Sequence, residues 1–136
     1  MLNGTIVDGN VFVGVGATLQ ATAVSVDGDI EAEGAAAVGV MGGSFIGADL
    51  QLRDGGAATV SDSTVDGDIE WAGHSGPVRV EGNKVSGNLQ VDSNTRGVTI
   101  SANSIDGELE CEDNQPAPAG GENMVGGEAD AQCASM

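Results

Sequence analysis

The side chains able to do chemistry in this chain are carboxylates, two cysteines and one histidine. Acidic residues number 21 against 4 basic ones, for a formal charge of −17. Carboxylates spaced i, i+2 on a strand lie on one side of it, and Asp27 with Asp29 and Asp66 with Asp68 have that spacing. Paired carboxylates serve as acid and base in glycoside chemistry. Polysaccharide-cleaving enzymes build such pairs into long chains with loop-walled grooves, and the connections here are too short to wall one. Nucleophilic catalysis needs a base beside Ser or Cys. His74, the one histidine, lies in Gly73-His74-Ser75-Gly76-Pro77, which reads as a solvated turn. Gly-rich phosphate loops with a following Lys are absent. The reading is therefore non-enzymatic.

The charge balance argues against nucleic acid, whose phosphates need clustered Lys and Arg, and against an anionic membrane surface. No apolar run reaches the length of a transmembrane helix, so no membrane insertion is expected. None resembles a signal-peptide core either, so an export signal is expected to have been removed or never present.

These residues are positioned by a repeat. Val7-Asp8-Gly9-Asn10-Val11 returns as Val26-Asp27-Gly28-Asp29-Ile30, Ile46-Gly47-Ala48-Asp49-Leu50, Val65-Asp66-Gly67-Asp68-Ile69 and three further copies. Its central small residues fall at 9, 28, 48, 67, 87, 107 and 127, intervals of 19 or 20 residues. A fixed period in this range marks a solenoid, whose repeats bury their apolar faces by stacking on their neighbours. Two residues before the centre stands Val7, Val26, Ile46, Val65, Val85, Ile105 or Val125. Two after it stands Val11, Ile30, Leu50, Ile69, Leu89, Leu109 or Ala129, and four after it Val13, Ala32, Leu52, Trp71, Val91, Cys111 or Ala131. The positions between are mostly polar, and alternation at period two marks a strand with one buried face. Trp71 reads as a core residue beside small Ala32 and Cys111; a sugar-stacking platform is the alternative.

Half a repeat later come Val38-Gly39-Val40, Ala58-Thr59-Val60, Val78-Arg79-Val80 and Val98-Thr99-Ile100, each followed by a turn. The turn's last residue forms its own column: Ser44, Ser63, Asn83, Asn103 and Asn123. Stacked side chains of this kind bond one another along the axis and cap turn backbone. The expectation is a single all-β domain over residues 1–136. It is a right-handed parallel β-helix of about seven coils of ~20 residues, with about three short strands per coil, right-handed because parallel crossovers are.

Stacking coils also stacks charge. Asp29, Asp49, Asp68, Glu108 and Glu128 share one column; Glu31, Glu70, Glu110 and Asp130 share another. Carboxylates one strand spacing apart repel. Salt screens them, raised pKa values neutralise them, and Ca²⁺ bridges them through oxygen ligands. The columns read as a solubilising face adapted to a saline setting, with Ca²⁺ sites at Asp29, Glu31, Asp49, Asp68, Glu70, Glu108 and Glu110 as the alternative. Neither EF-hand spacing nor a nonapeptide calcium repeat is present, and no metal is assigned.

Cys111 and Cys133 are the two cysteines. Neighbouring coils place them within bridging distance, so a disulfide is expected, worth about 3 kcal/mol in the chain-entropy model; two buried thiols are the alternative. A disulfide implies an oxidising compartment.

The run from Gly87-Asn88-Leu89-Gln90-Val91 through Gly97-Val98-Thr99-Ile100, Asp106-Gly107-Glu108-Leu109-Glu110-Cys111, Pro116-Ala117-Pro118, Gly120-Gly121 and Val125-Gly126-Gly127 to Cys133 resembles the C-terminal signature of a group of uncharacterised, secreted bacterial β-helix proteins. That resemblance implies the fold and an extracellular or cell-surface location, and no activity. The chain departs from the group in carrying Glu108, Glu110 and Glu112 where neutral or basic residues are expected. The Val-Asp-Gly-Asp-Ile-Glu phrasing at 26–31 and 65–70 is similar to bactofilins, cytoskeletal β-helices that polymerise without nucleotide.

Met1 lies eight positions before its central Gly and Met136 nine after Gly127, so copies stacked head to tail would continue the repeat nearly in phase. The leading expectation is a structural protein whose rods form an extracellular homopolymer or surface assembly, since open strand edges attract other chains and heterologous contacts give filaments. A bactofilin-like cytoskeletal polymer and a monomeric binding module for cations, carbohydrate or protein are the alternatives.

Overall fold

The computed structural model describes residues 1–136. It holds 21 short strands and no helix, arranged as three sheets of seven strands. Every third strand returns to the same sheet and pairs parallel with its predecessor, for example Ile6–Val7 with Ser25–Val26. The chain is a β-solenoid whose coils each visit three faces. The wide face carries strands of up to five residues (Thr18–Thr22, Ala37–Met41, Ala57–Ser61). The narrow face carries two-residue strands such as Val26 with Ser25. The acidic face carries strands such as Ile30–Glu33 and Leu109–Glu112.

The apolar columns stack as the repeat requires. Val7, Val26, Ile46, Val65, Val85, Ile105 and Val125 are register partners in succession down the narrow face. So are Val11 through Ala129 and Val13 through Ala131 on the acidic face. The inner columns of the wide face are Leu19, Val38, Ala58, Val78 and Val98, beside Ala21, Val40, Val60, Val80 and Ile100. Their buried members, together with Val24, Ala35 and Cys133, form one core of 29 buried residues along the lumen. Trp71 is 1% exposed, between Leu52 and Val91 in its column. Its ring lies inside the rod, which removes the sugar-platform reading.

The corners hold the coils together as much as the strands do. Of 86 backbone hydrogen bonds, 47 lie outside the strands, among them Gly87 N–H to Gly67 O and Gly107 N–H to Gly87 O, both 3.0 Å. The central glycine permits this close approach at 3.0 Å, whereas Ala48 in its place holds the Gly28 carbonyl at 3.3 Å. A Cβ on Gly87 would fall onto Asp68 Oδ1 and come within 2.7 Å of the Gly67 carbonyl oxygen. The other two corners also take left-handed residues, among them Ala23, Asp62 and Ala102 in one and Asp54, Ser93 and Asp113 in the other.

The last coil departs from the expected pattern. Strands stop at Ala131, and Gln132–Ser135 are turns rather than a continuing strand. Inward positions shrink there, with Gly120 below Ile100 and Ala129 below Leu109. The space is filled by Cys133, fully buried, and by Met136 packed against the core.

Candidate functional site

The conspicuous polar columns are mostly load carriers for the backbone. In the corner between the narrow and acidic faces, Asn10 Oδ1 accepts the Asp29 N–H at 2.8 Å, and Asp29 Oδ1 accepts the Asp49 N–H at 2.9 Å. Asp49 Oδ1 accepts from Asp68, Asp68 Oδ1 from Asn88, and Asn88 Oδ1 from Glu108, at 2.8, 2.7 and 2.9 Å. Carboxylate acceptors make the stronger, charge-assisted kind of bond. Asp27 and Asp66 lie before the corner glycine and outside any strand, so each i, i+2 pair straddles a bend. One member of each pair, Asp29 or Asp68, is spent on the next coil. A strand-borne acid–base pair is not formed.

The Ser/Asn column runs along the corner between the wide and narrow faces. Asn83 and Asn103 are each 2% exposed. The Ser63 N–H donates to Asn83 Oδ1, the Asn83 N–H to Asn103 Oδ1 and the Asn103 N–H to Asn123 Oδ1, each at 3.0 Å. The Asn83, Asn103 and Asn123 amides also donate to the Val60, Val80 and Ile100 carbonyls at 2.9, 2.8 and 3.0 Å. Ser44 accepts the Val24 N–H at 3.1 Å and donates to the Met41 carbonyl, whereas Ser63 donates to the Ser61 carbonyl.

A second ladder, unexpected from the sequence, occupies the corner between the acidic and wide faces. The His74 N–H donates to Asn94 Oδ1 at 2.9 Å, the Asn94 N–H to Asn114 Oδ1 at 3.1 Å, and the Asn114 N–H to Gln132 Oε1 at 2.9 Å. The 20-residue spacing of Asn94 and Asn114 is the signal that marks it. His74 heads this ladder and corrects the solvated-turn expectation. It is 3% exposed, with Nδ1 3.1 Å from the Gly56 carbonyl oxygen and Nε2 3.2 Å from that of Leu52. Neighbouring Gly55 is what admits it: a Cβ there would press on the imidazole at 3.3 Å.

On the acidic face Glu31, Glu70, Glu110 and Asp130 share a column, as expected, but other residues stand between most of them. The outward register runs Phe12, Glu31, Gln51, Glu70, Gln90, Glu110, Asp130. Amides separate most of the acids by two coils, and Glu110 with Asp130 is the one directly stacked acid pair in this column. Gln90 Nε2 donates to Glu110 Oε2 at 2.8 Å, and Arg53 Nη2 lies 3.6 Å from Glu70 Oε2. Repulsion is thereby relieved by interleaving, a route the charge count hides. Asp92 bears the residual strain. Partial burial raises its pKa above the ordinary carboxylate value, Glu110, Asp113 and Glu70 add to the rise, and the hydrogen bond from the Glu112 backbone opposes it. No group of three or more His, Cys, Asp or Glu side chains converges to hold a metal ion.

Cys111 and Cys133 form a disulfide, with Cα atoms 5.5 Å apart. It joins the acidic-face wall of the sixth coil to the turn that fills the seventh. No protein-family model, curated protein or solved structure matches this chain.

Proposed function

We propose that this chain is a structural rod that stacks end to end with copies of itself in an oxidising, extracellular setting, and that it catalyses no reaction. The observation that carries this reading is the state of the first coil. Its strands pair on one side only, and its inward residues Leu2, Val7 and Val11 stay half-buried, whereas Val26 and Ile46 in the coils below are fully buried. Another coil laid on this edge would complete three sheets and one core at once, and unpaired edges recruit strands. At the other end the lumen is filled by Cys133 and Met136, so a copy docking there would pair strand edges around a closed core.

Several features support a rod over an enzyme. His74 and both cysteines, the groups best suited to act as base or nucleophile, are buried and bonded within the scaffold. The disulfide fits an oxidising compartment.

Seven coils at about 4.8 Å make a particle on the order of 30 Å long. Negative-stain microscopy of the purified protein should show rods several times that length, shortened by Val7→Lys, which places a charge against the incoming coil. Circular dichroism would show that the variant still folds. Single 30 Å particles at high concentration, with and without salt, would refute end-to-end stacking.

A further inference from the structure

The outward side of the wide face is the broad surface free of acidic excess; the two-residue strands of the narrow face also lack acids, but exposed Asp27, Asp66 and Asp106 border them. Gln20, Gly39, Thr59, Arg79 and Thr99 run down its midline in direct register, flanked by Thr, Ala and Ser and by Met41. The one cation and one anion on its strands are Arg79 and Glu81, two positions apart on Val78–Glu81, with Nη1 and Oε1 3.9 Å from each other. This face is electrically neutral in a chain of net charge −17. The opposite pattern holds on the acidic face, where Glu31, Glu33, Glu70, Glu110 and Glu112 stand against Arg53.

We propose that the wide face is a self-association surface, through which two rods pack face to face about a two-fold axis near Val78–Glu81. Two highly acidic bodies can meet closely only where their surfaces lack net charge, because contact elsewhere opposes like charges within a Debye length of about 8 Å. A two-fold contact also requires self-complementarity: what residue i meets on j, j meets on i. A single adjacent pair of opposite sign on one strand satisfies that, since antiparallel crossing brings Arg79 of each copy to Glu81 of the other. Apart from Met41, which lies over the open space at Gly39, the flanking side chains are small enough to let the two sheets approach. Seven strands of two to five residues give a face of at most roughly 17 by 29 Å, at most about 500 Å² per copy. The total of at most about 1,000 Å² is at the lower limit of specific association, so the contact is weak and reversible.

This lateral contact is independent of end-to-end stacking: dimers that never elongate would retain it and refute the other. Sedimentation velocity over a concentration series in 150 mM NaCl tests it, using wild type, R79E, the reversed pair R79E/E81R, and Gln51→Glu on the acidic face as a control, each checked for folding by circular dichroism. The expected result is reversible association of the wild type and of Gln51→Glu, weakened about tenfold or more by R79E and restored by R79E/E81R. A wild type that stays monomeric to millimolar concentration, as a face built for a carbohydrate or another protein would leave it, overturns the proposal. So does association that R79E leaves unchanged, or that the reversed pair fails to restore.

Discussion

Removing the Asn103 side chain tests whether the buried amide column carries stability. Asn103 Oδ1 is the acceptor for the Asn83 N–H at 3.0 Å and for Asn83 Nδ2 at 3.1 Å, and Asn103 Nδ2 donates to the Val80 carbonyl at 2.8 Å and to Asn123 Oδ1 at 3.0 Å. In Asn103→Ala the Asn83 N–H, in a residue 2% exposed, loses its acceptor without gaining water. An unsatisfied buried amide costs about 1–3 kcal/mol, and each further lost bond about 0.5–1.5 kcal/mol. The expected loss is therefore about 3 kcal/mol, a fall of roughly 10 °C in melting temperature for a chain of this size. Asn103→Asp keeps the acceptor but turns an anionic oxygen toward the Val80 carbonyl and Asn123 Oδ1, and should cost at least as much. Asn103→Ser should cost less, because Ser44 performs the same acceptor role for Val24 of the preceding coil. Gln90→Ala, which removes a half-buried bond to Glu110 on the outer surface, should cost under about 1 kcal/mol. Urea unfolding followed by circular dichroism gives the differences, and amide hydrogen exchange should show protection lost first around Asn83. Repeat proteins can open locally, so both measurements are needed. A loss below 1 kcal/mol for Asn103→Ala, or an equal loss for Gln90→Ala, would refute the claim that the column bears load.

Gly87→Ala forces a Cβ onto Asp68 Oδ1 and close to the Gly67 carbonyl, so unfolding experiments should show a loss of about 2 kcal/mol; a neutral outcome would mean that the corner is not tightly packed. Asp92→Asn should raise the melting temperature at pH 7. The raised pKa of Asp92 means that its protonated form favours the fold and that this benefit is lost as pH rises through the folded-state pKa, so the advantage of the amide should fade once pH drops below the ordinary carboxylate range of about 4. A gain that persists at pH 3 would point to packing instead. Ca²⁺ and Mg²⁺ at equal ionic strength should raise the melting temperature alike, since no three-ligand cluster is formed; a Ca²⁺-specific shift saturating in the micromolar range would establish a site.

The fold was legible because the repeat writes its geometry twice. Period two along each strand shows what faces inward, and period twenty shows what lies above and below it, so the columns Val7 to Val125 and Val11 to Ala129 could be aligned without coordinates. Less of the polar surface could be read that way. Grouping only the acids of one column skipped Gln51 and Gln90, and with them the interleaving that separates Glu31, Glu70 and Glu110. His74 was obscured by its glycine-rich surroundings, which look like an exposed turn. The imidazole instead sits inside the corner, in room left by Gly55 one coil away, while Gly73 and Gly76 lie close to Asp54 and the Gly56–Ala57 backbone. The turn from Gln132 to Ser135 escaped the repeat because its filling role depends on small residues at Gly120, Ala129 and Ala131.

What each surface carboxylate bonds to decides what the surface is free to do. A carboxylate that accepts a backbone N–H from the next coil has a structural reason to be acidic, and Asp29, Asp49 and Asp68 all have one. Asparagine fills the same role at Asn10 and Asn88, so neutral side chains suffice for the bond itself, and the ladder alone does not require a charge of −17. The excess lies in Asp27, Asp66 and Asp106, exposed before the corner glycines, and in the glutamates of the acidic face. None of these is needed to hold a coil. Charges of one sign, kept on the acidic face and in the corners and absent from the narrow-face strands, direct how copies approach one another: they oppose contact through the acidic side and permit it through the neutral wide sheet and the strand edges. The charge pattern thus restricts assembly to a few relative orientations, while the stacked amides and aliphatic columns hold each rod together without it.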